Sequence, residues 1–463
     1  MDKAKLTGLV LGIIGFCIPL FITFPGLSLP GHLALSIFLL AAVFWMFETI
    51  PIYSTSILVI LLEVLLLSAE GLISFGSGSG YDPVPFSQFV GTLANPIIIL
   101  FLGGFVLADA AVKYNFDKNM TRILLKPFGT SPKMIMFGLM AVTASLSAFM
   151  SNTATTAMMV TVIIPILAKM ELTDPARISI ALSIPFAANI GGVATPIGTP
   201  PNAVVIAALN QQGLNIEFGS WMLYALPLAL IMLAFAWLVL LKLHPPALKS
   251  IPLEMKGEWK TSKNAWILYV VFGVTVLMWV TESLHGIKSS IVALIPVAVL
   301  TLTQTFEKDD IRNLPWEVLW LIAGGISLGI AMKETGLADW IVGSISWDQM
   351  SYLVLLSVFA VVSIMMSNFL SNTVTASLLI PLGITLATSG VVGGPAGTLI
   401  IGLIIALSTS FAMVLPISTP PNAIAVSTGV VETKNMIVAG SIIGIVAIVL
   451  IILMTNFYWP YIL

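Results

Sequence analysis

Ser147-Ala148-Phe149-Met150-Ser151-Asn152-Thr153 is met again 220 positions later as Ser367-Asn368-Phe369-Leu370-Ser371-Asn372-Thr373. A second pair keeps the same offset: Thr195-Pro196-Ile197-Gly198-Thr199-Pro200-Pro201-Asn202 against Leu415-Pro416-Ile417-Ser418-Thr419-Pro420-Pro421-Asn422. Two separate motifs with one spacing mark an internal duplication. All four are small, polar, helix-breaking clusters inside apolar sequence. The rest of the chain reads as a frame that holds them against each other in a membrane.

The chain has 463 residues, of which 58% are hydrophobic and 9% charged, against about 25% charged in a soluble domain. Apolar runs of roughly 20 residues follow one another, each long enough to cross a bilayer. The expected class is an all-α integral membrane protein, and a soluble core is excluded by run length. Met1 to Lys5 followed by an apolar run has no small-residue cleavage site, so it reads as a first transmembrane helix and not a removed signal peptide. Cys17 is the only cysteine, which leaves neither a disulfide framework nor a thiol metal site. The net charge of -2 points to no partner, nucleic acid included.

The sequence divides into an N-terminal helix (1–31), a first repeat (32–241), a linker (242–264) and a second repeat (265–463). The polar stretch 242–263 carries five Lys and two Glu. Trp45-Met46-Phe47-Glu48 is echoed by Trp279-Val280-Thr281-Glu282, and Gly103-Gly104 by Gly324-Gly325. Glu70 to Pro85, with Gly76-Ser77-Gly78-Ser79-Gly80, is a loop that lacks the Lys and helix start of a phosphate cradle. Lys113 to Lys133 mixes Lys118, Arg122 and Lys126 with apolar residues, as an amphipathic helix lying in the interface does. Lys333 to Asp348 is a second interfacial stretch.

Ser151-Asn152-Thr153 sits in the middle of an apolar stretch from Met134 to Leu167, which is either a kinked spanning helix or a re-entrant hairpin with the triplet at its tip. In 178–209, Pro200-Pro201 removes two backbone donors and cannot continue a regular helix. Broken backbone at membrane depth is tolerated only where it is buried in protein or lines a polar cavity. If both triplet segments are hairpins, the chain makes eleven crossings in two inverted repeats, with two re-entrant hairpins and two broken helices. With the N-terminus in the cytoplasm and the C-terminus outside, all 19 Lys and Arg except Lys288 and Lys333 then fall inside, in accord with the positive-inside rule. Crossing triplets would move the basic linker outside, so the charge distribution favours hairpins.

Inverted repeats with discontinuous helices meeting near the midplane are the signature of secondary transporters. A broken helix exposes amides that attract anions and carbonyls that attract cations. Ser, Thr and Asn add neutral donors and acceptors. Such a site offers many oxygens and amides without fixed charge. A dianion there is costly to desolvate, and a co-bound cation such as sodium would offset that cost.

On these paired motifs the chain resembles the divalent anion/sodium symporter family along almost its whole length. The resemblance implies a homodimeric elevator-type transporter, in the plasma membrane and in contact with lipid, for dicarboxylates such as succinate, malate, fumarate or 2-oxoglutarate. It implies substrate contacts from Ser151, Asn152, Thr153, Thr199 and Pro200, and from Ser371, Asn372, Thr373, Thr419 and Pro420. It implies one sodium position at Ser147, Ser151, Asn152 and Gly198, and a second at Ser367, Leu370, Asn372 and Ser418, with Leu370 and Ser418 giving carbonyls. Ser367 stands where the family usually has Thr, and Leu370 and Ser418 where it has Ala. Sodium symport and sodium-independent exchange therefore both stay open, and no cofactor is implied beyond sodium as a coupling ion.

Blander readings stand beside these. The triplets could be polar kinks that pack helices, and Ser147 and Ser367 could bond back to their own helices. Glu48 and Glu282 lie at helix ends, where a structural role near the interface is favoured over an intramembrane functional carboxylate. Asp109 and Lys113 are spaced for a local pair. Asn119-Met120-Thr121 fits a glycosylation sequon but falls on the inside. An enzyme is disfavoured, because His32, His244 and His285 are far apart and no nucleophile–base or metal constellation is present. A channel fits poorly with two repeats in one chain. Citrate or sulfate is the nearest rival substrate.

Overall fold

The structure is a computed structural model that describes residues 3–75, 81–247, 250, 259–345, 347, 350–389 and 394–463. Residues 248–249 and 251–258 of the polar linker, the Gly76–Gly80 run and Asp348 lie outside the described residues. Every regular element among the described residues is helical.

The first half runs α1 (Lys3–Phe21), α2 (Leu29–Met46), α3 (Ile52–Leu67), short α4 (Phe86–Val90), α5 (Pro96–Lys113), α6 (Phe116–Leu125), α7 (Pro132–Ser147), α8 (Asn152–Ala168), α9 (Ala176–Gly192), α10 (Pro200–Gln211) and α11 (Phe218–Leu243). The second half runs α12 (Lys263–Val280), short α13 (Glu282–His285), α14 (Ser289–Val292), α15 (Leu294–Leu302), short α16 (Lys308–Arg312), α17 (Trp316–Glu334), α18 (Leu337–Gly343), α19 (Tyr352–Phe369), α20 (Asn372–Thr388), α21 (Gly394–Ser410), α22 (Pro420–Ser427) and α23 (Thr433–Phe457). Eight of the described helices are long and apolar enough to span a membrane.

The duplication is carried in the helices themselves. α8 and α20 begin on the two triplet asparagines, and α10 and α22 begin on the two Pro-Pro pairs. The Trp echo is structural as well: Trp45 Nε1 donates to Ile52 O at 3.1 Å and Trp279 Nε1 to Ser289 O at 3.0 Å. Trp45 thereby ties α2 to the start of α3, and Trp279 ties α12 to the start of α14.

Local chemistry sets the breaks. α9 ends at Gly192, and Val193 to Thr199 is irregular. Pro200 and Pro201 then occupy the first two positions of α10, where a missing N–H costs no helical hydrogen bond. Pro420 and Pro421 do the same for α22. α9 and α21 are buried on nearly every side, as helices at the centre of a bundle are. α1, α12 and α23 keep large apolar side chains exposed, including Phe21, Leu277 and Ile445, as a lipid-facing surface requires.

The first triplet stretch is a hairpin. At the start of α7, Lys133 O accepts from Trp237 Nε1 at 3.0 Å, and Phe137 packs on the same indole at 5.1 Å. Beyond the C-terminus of α8, Arg177 Nη1 donates to Leu167 O and Met170 O at 2.8 and 3.2 Å. Ser179 Oγ donates to His244 O at 3.1 Å. Trp237 and His244 both belong to the C-terminal end of α11, so the two arms start and finish on one side. The tip repeats in the second half: Ser147 Oγ reaches Asn152 Oδ1 and Ala188 O at 2.5 and 2.9 Å, and Ser367 Oγ reaches Asn372 Oδ1 and Thr409 O at 2.7 and 2.8 Å.

The repeats are interlocked. α8 packs on α22 and α10 on α20, so each hairpin arm meets the broken helix of the other half. Lys113 is part of this exchange. It does not pair with Asp109: its Nζ lies 2.6 Å from Asp310 Oδ2 and 3.7 Å from Glu307 Oε1, at the start of α16. The partner across the repeat boundary wins because α5 ends beside the turn that precedes α17. Asn119, on the buried side of α6, donates to Asn115 O at 2.9 Å.

Candidate substrate site

Four helices begin at one place. Ser151, Thr199, Ser371 and Thr419 are the N-caps of α8, α10, α20 and α22, and all four line a single cavity of about 510 Å³. Helix N-termini carry a partial positive charge and unpaired amides, so the cavity wall favours anions without a cationic side chain. The amides come chiefly from the hairpins. Asn152, Thr153, Asn372 and Thr373 open their helices with N–H groups that have no intrahelical acceptor, whereas α10 and α22 open on proline.

All ten residues expected to touch substrate line this cavity: Ser151, Asn152, Thr153, Thr199, Pro200, Ser371, Asn372, Thr373, Thr419 and Pro420. Its volume falls within the roughly 300–1,000 Å³ usual for small-molecule sites. Phe101 and Phe105, one turn apart on α5, add apolar wall beside Ile197, Val318 and Leu321. Glu48, Tyr53 and Glu317 also line it and are exposed, so they mark its mouth.

Glu48 keeps its expected place at a helix end and in addition lines this mouth. It sits in a left-handed conformation (φ 44°) that turns the chain between α2 and α3 at the cavity entrance. Its echo Glu282 is structural: it is buried, and its Oε2 accepts from Phe218 N at 3.2 Å. Phe101, Phe105, Asn189 and Glu317 were not singled out from sequence. The i, i+4 phenylalanines beside Gly103-Gly104 were the one available signal.

The eight expected cation ligands divide into two layers. Ser151, Asn152, Gly198, Asn372 and Ser418 reach the cavity, while Ser147, Ser367 and Leu370 lie buried and are not among its lining. The Asn152 amide faces Ser147 Oγ at 2.5 Å, and Ala188 O and Gly198 O at 3.2 Å. With its nitrogen on that side it donates to them. With its oxygen on that side, four neutral oxygens converge, a donor set that suits a hard cation. Gly198 is needed there, because a Cβ on it would stand 2.4 Å from Gly192 O. The second position differs. Ser418 Oγ lies 3.1 Å from Asn368 O and from Asn368 Oδ1, and accepts from Leu415 N at 3.0 Å. No group of three or more His, Cys, Asp or Glu occurs among the described residues.

The two repeats contribute unequally to the cavity. Ser371 Oγ accepts from Val374 N at 3.2 Å, and Thr419 Oγ1 from Asn422 N at 3.3 Å. Neither Ser151 nor Thr199 caps its helix through the side chain. Asn202 and Asn422 staple the broken segments instead, donating to Thr195 O at 2.8 Å and Leu415 O at 3.0 Å.

A family model described as the sodium:sulfate symporter transmembrane region matches residues 3–463. The chain belongs to the divalent anion/sodium symporter family. Within that family it is similar to the sodium-dependent dicarboxylate transporter SdcS of Staphylococcus saprophyticus, at 30% identity over 99% of this chain and 92% of that protein. SdcS of Staphylococcus aureus is 29% identical over 100% of this chain and 92% of its own length. An uncharacterized transporter of Haemophilus influenzae is 32% identical over 90% of each chain. Among solved structures, the Alcanivorax borkumensis YdaH transporter, described as revealing an unusual topology, shares the fold. Its TM-score is 0.56 at 12% identity, covering 88% of this chain and 98% of that one. As a member of this family the protein is an integral membrane transporter and not an enzyme.

Proposed function

We propose that the protein carries C4 and C5 dicarboxylates, among them succinate, malate, fumarate and 2-oxoglutarate, across the plasma membrane together with sodium. The observation that carries this reading is the convergence of four helix N-termini and ten neutral polar or proline residues on one cavity. A dicarboxylate has two anionic ends, and the cavity has two triplets to receive them. The oxygens around Asn152 supply a cation position beside the anion, so that each ion lowers the desolvation cost of the other. The sodium dependence named for the two staphylococcal relatives supports symport over exchange.

The reading includes eleven crossings, two inverted repeats (32–241 and 265–463), a cytoplasmic N-terminus and an outside C-terminus. Helix direction supports the inversion. Gly324 meets Ser56 and Ser327 bonds Glu63, so α17 runs in the sense of α3. Gly103 meets Ala293 and Tyr114 Oη bonds Thr305 O at 3.2 Å, so α15 runs in the sense of α5. Consecutive spans α3 and α5 run oppositely, hence α5 and its counterpart α17 do too. On this topology the cavity mouth at Glu48 and Glu317 faces the cytoplasm. Transport then moves the hairpins and broken helices as one body against the remaining helices of a homodimer, an elevator whose dimeric frame rests on family resemblance.

Uptake of labelled succinate into proteoliposomes tests the reading. Sodium-dependent uptake into empty vesicles is expected. Uptake that ignores sodium and needs internal dicarboxylate would replace symport by exchange. Saturable uptake of citrate or sulfate without succinate would overturn the substrate.

A further inference from the structure

We infer that Asn189 is a positioning residue that turns Thr419 into an obligate hydrogen-bond donor and so makes Thr419 a fixed anchor for one substrate carboxylate. The inference rests on the dicarboxylate reading of the site and deepens it. A threonine hydroxyl has one proton to give and two lone pairs to receive. Thr419 Oγ1 accepts from Asn189 Nδ2 at 3.2 Å and from Asn422 N at 3.3 Å. Both acceptor positions are filled, so its O–H can only donate, and Thr419 lines the cavity.

The Asn189 amide cannot reverse without loss. Its Nδ2 also lies 3.4 Å from Asn422 Oδ1, and Asn422 is oriented by its own donation to Leu415 O at 3.0 Å. Asn189 Oδ1 is buried without a partner, a penalty a residue kept only for packing would not carry. Asn189 is used for its donor groups.

The arrangement exists on one side only. The residue 220 positions after Asn189 is Thr409, whose Oγ1 turns back to Ala406 O at 2.9 Å. Thr199 therefore receives no equivalent bond, and like Ser151 it makes no side-chain cap. Ser371 differs from Thr419, since its Oγ accepts from Val374 N alone and keeps one acceptor position open. Of the four N-cap hydroxyls only Thr419 has both acceptor positions filled, which selects an unmodified carboxylate at its oxygen. The hydroxyls of Ser151, Thr199 and Ser371 keep the freedom to donate or accept, which tolerates a hydroxyl or keto group of the substrate beside them.

The test is succinate KM in proteoliposomes for Asn189→Asp, set against wild type at each pH. An ionised carboxylate in place of the Asn189 amide would accept the Thr419 proton and take it from the substrate. The KM is expected to rise about 10-fold, the size of one charge-assisted hydrogen bond. The loss should shrink as pH falls and the introduced carboxyl gains a proton to donate. A KM like wild type, or a loss that is the same at every pH, overturns the inference. Should that variant fail to insert, Thr419→Ala against Thr199→Ala decides: a clearly larger KM rise for Thr419→Ala supports it, and equal rises overturn it. Wild-type protein that carries no dicarboxylate would instead overturn the functional reading itself.

Discussion

Gly325 of α17 lies so close to Ser377 of α20 that a Cβ on the glycine would stand 2.2 Å from the serine Oγ. One turn on, a Cβ on Gly329 would stand 3.4 Å from Pro381 Cγ. A frame helix thus packs on a hairpin arm through two glycines. On the first-repeat side, Gly104 of α5 faces Ile197 of the break instead of the hairpin. The two repeats thus differ in how the frame helix meets its neighbour, an asymmetry that the proposed elevator motion would produce at one end of its stroke. Because Cys17 is the only cysteine, Cys17→Ala gives a clean background for the pair Gly329→Cys and Pro381→Cys. Crosslinking is expected to stop transport and reduction to restore it. Full transport by the crosslinked protein would rule out sliding at this contact.

Asn152 and Asn372 occupy the first position of the two hairpin helices and face the cavity. Asn152→Ala and Asn372→Ala should each lower succinate transport by at least about 100-fold, since each removes more than one hydrogen bond to a charged partner. Normal membrane insertion and an unchanged size-exclusion profile should accompany the loss. Wild-type transport by either variant would contradict the site.

Glu48 and Glu282 are sequence echoes with different surroundings, and they should fail differently. Glu48→Gln removes a negative charge from the mouth of an anion site. A several-fold lower KM for succinate is expected at low ionic strength, fading as salt shortens the screening length to about 3 Å near 1 M. Glu282→Gln weakens the bond that receives Phe218 N. It should cost roughly 1–2 kcal/mol of stability, seen as a lower melting temperature with little change in the ratio of substrates carried.

Asp117, in the first turn of α6, is fully buried, and neither carboxyl oxygen has a side-chain hydrogen-bond partner. Burial raises its pKa, with Lys118 and nearby amides opposing. A group whose folded pKa lies above its unfolded value contributes stability at low pH and loses it as pH rises through the folded value. Asp117→Asn should therefore melt higher than wild type at neutral pH, and the difference should close as the pH is lowered. An equal gain at all pH values would mean that ionisation is not the cause.

The ten cavity residues came from the resemblance to the family, whereas the duplication, the membrane class and the hairpins were legible in the sequence. Those features depend on local rules. A Pro-Pro pair must start a helix, a polar triplet must interrupt an apolar run, and one offset shared by two motifs has no other simple source. The basic residues added the sense of the hairpins, because a charge left on the wrong side of a bilayer is costly wherever it sits in the fold.

Other facts needed the third dimension. Lys113 chose Asp310 over Asp109 because α16 arrives beside it from the other repeat. Glu48 reached the cavity while its echo Glu282 turned to Phe218. Asn189 met Thr419 across the repeat boundary, and nothing in the spacing of either residue announces it. Sequence periodicity determined which residues end helices and must face polar surroundings. Which hydroxyl is left with only a proton to offer depends on partners 230 positions apart, and only the packed tertiary structure brings those together.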